Sequence, residues 1–431
     1  MTDLRAATPM YAASAGPSRS RDRGSIRRTN LGVVLRILRD SGPRSRAQIA
    51  VDTGLPKPTV TTLVAELVAH GLISEGSAQR EGAVGRPGTL VRIDGRGLCG
   101  IGVEISTSYV QVLALTLSGD TVHQHRVAVA VAEAGEEEVL DLTAQAIRAS
   151  LTALGRDGIR PVGLTLAVPG VIDTAAGTVE YASAIGWRGV AVADGLRRRL
   201  EQRLPRLAVE NDAKLGALAE YVQAQGSDVH DMVCITGERG IGAGIISDGR
   251  LLRGSTGFAG EVGHMPLDPE RRPCACGRRG CWEAMVGLDA ILRLAAADDD
   301  WIHDPAVELE SRLEELRRRA LDGDARTREA LARVAEDLGL GVALLADVLN
   351  PRVVVLGGYF THIGQLMLDR VREVVRERVM APDAGGCEVR LSELGFAAAA
   401  RGGAYLALDA VYQDPARFEE FGEAVRQSAS T

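Results

Sequence analysis

Near residue 98 the apolar pattern of this 431-residue chain changes period, and that change limits the architectures open to it. Before it, apolar residues recur at helical spacing. After it come LCGIGVEIS, YVQVLALTL, a turn at Ser118-Gly119-Asp120, and TVHQHRVAVAV, runs of strand length and composition. A helix near 135–154 and the strand PVGLTLAV, ending at Pro169-Gly170, follow. A similar order returns as MVCITG, GIGAGIIS, the Asp248-Gly249 turn, LLRG, helices, and the buried strand RVVVLGG at 352–358. Strand triplets followed by helix and strand, twice over, predict two α/β lobes facing a cleft. The repeat lies in the elements; the letters do not repeat.

The segment before residue 98 predicts a small helical unit. Leu31, Val34, Leu35 and Leu38 stand at i, i+3, i+4 and i+7 and give a first helix over about 29–40, ended by Gly42-Pro43. Ser45 and Gln48 form a capping-box pattern for a short second helix that stops before Gly54. Val60, Leu63, Val64 and Leu67 are the buried stripe of a third, closed by Gly71. Leu72-Ile73 and Leu90 to Ile93 can pair as wing strands around a loop holding Arg80, Arg86 and Pro87. This is the plan of a winged helix-turn-helix.

Charge agrees with that reading. Residues 1–100 hold 15 Lys and Arg against 8 Asp and Glu, and the remainder 35 against 49, so a basic head sits on an acidic body. A polyanion partner is expected for the head alone, and double-stranded operator DNA fits. Lys57, Thr59, Thr61 and Thr62 on the outward first turns of the third helix suit phosphate and base-edge contacts. Arg86, in Gly85-Arg86-Pro87-Gly88, is placed to enter a minor groove. The competing reading is a small helical interaction domain. Residues 1–28, rich in Ala, Ser, Pro and Arg, read as a disordered basic arm. No apolar run approaches the roughly 20 residues a bilayer needs, and no signal peptide is visible, so a cytoplasmic protein without membrane contact is expected.

His264 followed by Cys274, Cys276 and Cys281 in GHMPLDPERRPCACGRRGC can supply a closed tetrahedral metal site. Structural zinc is expected, since a filled shell leaves no position for activated water. An oxidised pair plus a spare thiol is the alternative, and bridges are rare in reducing compartments. Cys99, Cys234 and Cys387 stand alone in apolar stretches and read as core filler. Around the cluster, polar residues gather where loops meet the cleft. Asn211 and Asp212 follow the strand RLAVE, at a sheet's C-terminal edge. Glu261 stands three residues before His264, and Glu283 two after Cys281. Taken singly they read as a helix cap, a turn former and surface charge. Together they make a multidentate receptor for sugar hydroxyls.

Glu261-Val262-Gly263-His264 with CACGRRGCWE resembles the signature of the ROK family, which combines sugar kinases with sugar-responsive regulators. SRAQIAVDTGLPKPTVTTLVAELVAHGLI and the GRPG wing resemble the family's regulator branch, which includes xylose and N-acetylglucosamine repressors. The likeness covers about residues 29–410. It implies an α/β chain in which a winged helix-turn-helix precedes a two-lobed actin-like (ribonuclease-H-like) body. Expected boundaries are 29–95 for the DNA-binding domain, 96–213 and 214–410 for the lobes, and 411–431 for a tail. The resemblance further implies that Gly170, Asn211, Asp212, Glu261, His264 and Glu283 line a monosaccharide pocket.

Kinases of this family carry Asp-x-Gly-Gly-Thr-Lys after the first strand. Here the matching residues are Glu104, Ser106, Thr107, Ser108 and Tyr109, and a second phosphate loop reads Glu238-Arg239-Gly240-Ile241-Gly242. Side chains replace glycine where a backbone would approach phosphate. The expectation is therefore a regulator, a repressor freed from DNA by a sugar, working as a homodimer or homotetramer and without enzymatic activity. The alternative is an ATP-dependent sugar kinase with a DNA-binding appendage, in which Asp212 is the base. Helices at 286–349, stopped by Asn350-Pro351, serve either as a dimer surface or as core. Ala184-Ile185-Gly186-Trp187 stands where the family has an Asn-Leu-Pro-x-Trp-like segment, so one sugar-contacting asparagine is absent.

Overall fold

The computed structural model describes residues 23–76, 89–94, 96–200, 206–224, 228–305, 307–381 and 386–418. Helix α1 (Arg23–Ser41) starts inside the segment expected to be a disordered arm; residues 1–22 of that segment lie outside the described residues. Its Leu31, Val34, Leu35 and Leu38 are buried, as the spacing predicts. A two-residue strand β1 (Arg44–Ser45) leads into α2 (Arg46–Thr53). The capping box is complete: Ser45 Oγ accepts from Gln48 N at 3.3 Å and Gln48 Oε1 from Ser45 N at 2.9 Å. Helix α3 (Lys57–Ala69) opens behind Pro56, which offers no side-chain cap, and buries Val60, Leu63, Val64 and Leu67. Strands β2 (Ile73–Gly76) and β3 (Leu90–Ile93) form the wing, and β1 adds to β3 to make three strands. Arg80, Arg86 and Pro87 fall in the wing loop outside the described residues.

The first lobe runs through β4 (Leu98–Ile105), β5 (Tyr109–Thr116), β6 (Thr121–Ala128), α4 (Val131–Arg156) and β7 (Arg160–Val168). A small sheet of β8 (Val171–Asp173), β9 (Thr178–Ala182) and β10 (Trp187–Val190) follows, then α5 (Val192–Arg199) and β11 (Arg206–Asn211). The main sheet has the order β11-β7-β4-β5-β6, antiparallel across β4-β5-β6 and parallel across β4-β7-β11. Helix α6 (Asp212–Gln223) leads to β12 (Met232–Gly237), β13 (Ile241–Ser247) and β14 (Arg250–Leu251). After the cysteine loop come α7 (Glu283–Val286), α8 (Leu288–Ala295), α9 (Leu309–Asp322), α10 (Ala325–Leu349) and β15 (Val353–Gly358). Helices α11 (Phe360–Ile363) and α12 (Leu368–Arg378), β16 (Glu388–Leu391) and α13 (Ala398–Gln413) complete the chain. The second sheet has the order β14-β13-β12-β15-β16, the same plan as the first.

One helix packs on a sheet other than the one its place in the chain implies, because chain order does not decide which sheet covers a face. The 213/214 boundary falls inside α6, which packs on β12 and β13. Helix α13, expected in the second lobe and tail, packs on β4, β5 and β7 of the first, and α6 lies against it. Close approach requires the missing side chains: a Cβ at Gly102 of β4 would collide with the Ala400 carbonyl, and one at Gly402 with the Leu215 carbonyl. The far half of α13 meets the head. Ala404, Leu408, Val411 and Tyr412 share one buried cluster with Leu31, Val34, Leu35 and Leu38 of α1. Arg36 Nη1 donates to the Tyr412 carbonyl at 2.8 Å, and Arg39 lies over the Tyr412 ring at 4.8 Å.

The inner face of α10 is core, with Val334, Leu338 and Val342 buried, whereas Leu344 and Val348 are exposed on its outer side. Asn350 ends the helix in the left-handed region at φ 45°. Among the described residues no helix is long and apolar enough to cross a membrane.

Candidate functional site

Hydrogen bonds within the chain shape the cysteine loop. Asp268 accepts from the backbone of Glu270 and Arg272 and from both sides of the Arg272 guanidinium, at 2.8–3.0 Å. Those bonds hold its carboxyl down at about 2, led by the arginine's side-chain contact. Pro273 and Arg279 form an isolated antiparallel bridge, and Cys274 N donates to Arg278 O at 2.9 Å. The ligand atoms of His264, Cys274, Cys276 and Cys281 consequently lie within 4.8 Å of one another. His264 turns Nδ1 to the cluster, 3.7 Å from Cys274 Sγ, and Nε2 to the cleft, 3.9 Å from Glu261 Oε2. One nitrogen and three sulfurs at this spacing can hold a metal ion. All six cysteines are free, and Cys276 and Cys281 stand 3.7 Å apart unbonded. Cys99 and Cys234 are buried, as core filler would be, and Cys387 is half-buried.

The polar residues of the cleft form a connected row. Asn211 caps α6, its Oδ1 accepting from Lys214 N at 2.9 Å, while its Nδ2 donates to the Gly170 carbonyl at 2.9 Å. Gly170 sits at φ 96° with its α-carbon facing Tyr181 and Ala182, so no side chain fits there. Asp212, the first residue of α6, faces Glu238 and Glu261. Burial, then those two carboxylates, raise its carboxyl to about 7. Burial also raises Glu261, against the pull of His264 and Lys214. Glu283 is engaged at both oxygens: Oε2 accepts from Ile241 N at 2.9 Å and Oε1 lies 3.4 Å from Cys274 Sγ. It ties the cysteine loop to the residues after β12.

Lys214 escaped the sequence reading. It is 2% exposed, and its Nζ donates to the Gly257 carbonyl at 2.5 Å, fixing the loop before Glu261 to α6. Glu210, 1% exposed, pairs with Arg253 at 2.8 Å on the same side. The signal was a lysine in the first turn of the otherwise apolar segment DAKLGALAEY. At the opposite edge Ser106 and Tyr109 close the turn between β4 and β5 and reach Glu238. Gly358 adopts φ 64° with its backbone against Gly237, so its glycine answers to the strand-to-helix turn.

In the head, Lys57, Thr61 and Thr62 are exposed and Thr59 half-buried on one end of α3. Thr61 and Thr62 hydroxyls donate back to the carbonyls of Lys57 and Pro58 at 3.0 and 3.2 Å, leaving their oxygen lone pairs outward.

Residues 100–410 match the model of the ROK family, and residues 30–76 match that of the IclR helix-turn-helix domain. The chain is 28% identical to the xylose repressor of Caldicellulosiruptor bescii over 86% of this chain and 92% of that one. It is 29% identical to the glucokinase of Halalkalibacterium halodurans over 71% of this chain and 94% of that one. Its fold matches the crystal structure of a ROK family transcriptional regulator, a homolog of the E. coli MLC protein, with a TM-score of 0.72 and 24% identity over 92% of this chain and 99% of that one.

Proposed function

We propose that this chain, which belongs to the ROK family, is a sugar-responsive DNA-binding transcriptional regulator, a repressor released from its operator when a monosaccharide occupies the cleft. The observation that carries this reading is α13. One end of it follows Phe396, whose carbonyl lies 3.3 Å from Tyr109 OH inside the cleft, and the other shares the head's core. A lobe movement that displaces α13 displaces the helix-turn-helix. A ligand acts through that helix only by its differential affinity for two cleft states, and a coupling of ~1–3 kcal/mol changes operator affinity about fivefold to a hundredfold. Two copies on a two-fold operator complete the arrangement.

In this reading Gly170 and Asn211 form the floor of the pocket, Asp212 and Glu261 accept sugar hydroxyls, and His264 presents Nε2. Zinc, held by His264 Nδ1 and the three thiolates, orients that ring and braces Glu283. The head reads DNA through Lys57, Thr59, Thr61 and Thr62, with Arg86 in the wing. Titrating purified protein with operator DNA in the presence of a panel of aldoses and N-acetylhexosamines tests the function. Operator affinity unchanged by every sugar would overturn it. Replacing Lys57 by alanine is expected to weaken operator binding at all sequences alike and to lower the slope of log affinity against log salt by about one. A slope equal to the parent's would remove Lys57 from the phosphate contacts.

Asp212 gives the sugar pocket a pH dependence. A carboxyl held near 7 is ionised above that value and neutral below it. The ionised form accepts hydrogen bonds strongly at both oxygens, whereas the neutral form turns one of them into a donor. Sugar affinity should therefore fall as pH drops through about 7, and Asp212→Asn should flatten that limb in calorimetric titrations. The same carboxyl favours a second reading, a sugar kinase, because a base poised near neutrality suits proton removal from a hydroxyl. ADP release with ATP and sugar, lost in Asp212→Asn, would establish it.

A further inference from the structure

Across the cleft from the sugar row, the two lobes meet through carboxyl groups. Glu104, on β4 of the first lobe, is 1% exposed. Glu238 follows β12 of the second. Tyr109 OH lies 3.1 Å from Glu104 Oε1, 3.4 Å from Glu238 Oε1 and 3.3 Å from the Phe396 carbonyl. One hydroxyl proton thus faces three acceptors. Ser106 Oγ supplies a second donor to Glu238 Oε2 at 2.5 Å, yet Glu104 Oε2, also buried, has no hydrogen-bond partner among the described residues. Arg126 on β6 lies 3.8 Å over the Tyr109 ring and also pairs with Glu310 of α9 at 2.7 Å. The space between Glu104, Asp212, Thr236, Glu238 and Phe396 is about 10 Å³, the size of one water. Donors are short and carboxyls in excess, a deficit that a bound proton removes.

We propose that Glu104 and Glu238 share a proton and, with Ser106 and Tyr109, form a latch that holds the second lobe closed on the first without any nucleotide. Burial and the neighbouring carboxylates outweigh the one cation that faces the pair. Burial raises Glu104 first, then Glu238 and Asp212 raise it further, while Tyr109 and Arg126 oppose. Burial likewise raises Glu238 against Ser106, Tyr109 and Arg126. Asp212 itself faces Glu238, Glu261 and Lys214. The closed state binds a proton that hydrated, separated carboxyls release at ordinary pH. Low pH therefore favours the latch, and it is lost as pH rises through the raised values. The Arg126–Glu310 bridge joins the same lobes through a separate contact.

The test uses the full chain with neither sugar nor DNA, so its outcome is independent of the effector reading. Small-angle scattering gives the lobe opening from about pH 6 to about pH 9, and hydrogen exchange gives protection at residues 106–109. The parent is expected to expand as pH rises, with protection factors there falling up to about tenfold per pH unit within the transition. Glu238→Gln supplies its own amide proton and should stay compact throughout, whereas Glu238→Ala should be open throughout. Should Glu238→Ala fail to fold, Ser106→Ala and Tyr109→Phe, each removing a donor that favours the ionised pair, should shift the transition to higher pH. Glu310→Gln should loosen the closed form without moving the transition. A parent insensitive to pH, or a transition identical in Glu238→Gln, would overturn the latch.

Discussion

Cys276→Ser is expected to abolish metal binding and to weaken the sugar by about 10–100-fold, while operator affinity in the absence of sugar stays within roughly twofold of the parent. Removing one of four ligands from a structural site forfeits most of its affinity, and zinc binding to such sets in finger peptides contributes about 10–16 kcal/mol to local order. The Asp268–Arg272 contacts, the bridge at Pro273 and Arg279 and the loop's backbone hydrogen bonds set its chain path, while the metal would hold the thiols on His264. With the metal gone, His264 is free to rotate about a ring that faces Cys274 on one side and Glu261 on the other. Glu283 then loses the loop that fixes its second oxygen. The DNA-binding face lies in a separate core, which is why it should be spared. Metal analysis, calorimetry against the sugar and an operator titration check the three parts. Full metal retention would sink the assignment of Cys276, and an intact sugar response in metal-free protein would sink the bracing role.

Leu35→Ala should lower stability by about 2–5 kcal/mol and should also bring operator affinity with and without sugar towards the same value. Leu35 is fully buried in the cluster that joins α1 to α13. A cavity there loosens the head on the helix that reaches the cleft. Leu154→Ala provides the control: it is equally buried, but on α4 in the first-lobe core. It should destabilise by a similar amount and leave the sugar effect on operator binding in place. Chemical denaturation and paired operator titrations measure both quantities. Equal sugar effects in Leu35→Ala and the parent would show that α13 does not carry the signal.

What could be read from the chain was local. Ser45 with Gln48, the stripe Leu31-Val34-Leu35-Leu38, and the turns at Gly54 and Gly71 each act within a few residues, so spacing reports them. The cysteine cluster belongs with these, since its three thiols fall within eight residues and its histidine ten residues earlier. Elements without apolar contrast were harder. The Ala/Gly-rich stretch that forms α13 shows no stripe because it is covered on several sides, and the short strands β8 to β10 are too brief for alternation to register. Glu104 was legible only as part of the altered phosphate loop and Lys214 not at all, and the burial of Lys214 follows from partners such as Gly257, 43 residues along the chain.

The amino-acid order by itself determined a winged head on two lobes of like topology, a four-ligand loop and the row from Asn211 to His264, because capping, periodicity and ligand spacing are short-range properties. The folded arrangement alone decided that α13 packs on the first sheet, that it joins cleft to head, and that Glu238 faces Glu104. Those outcomes depend on desolvation and on contacts between residues more than a hundred positions apart, and no window of sequence contains both partners.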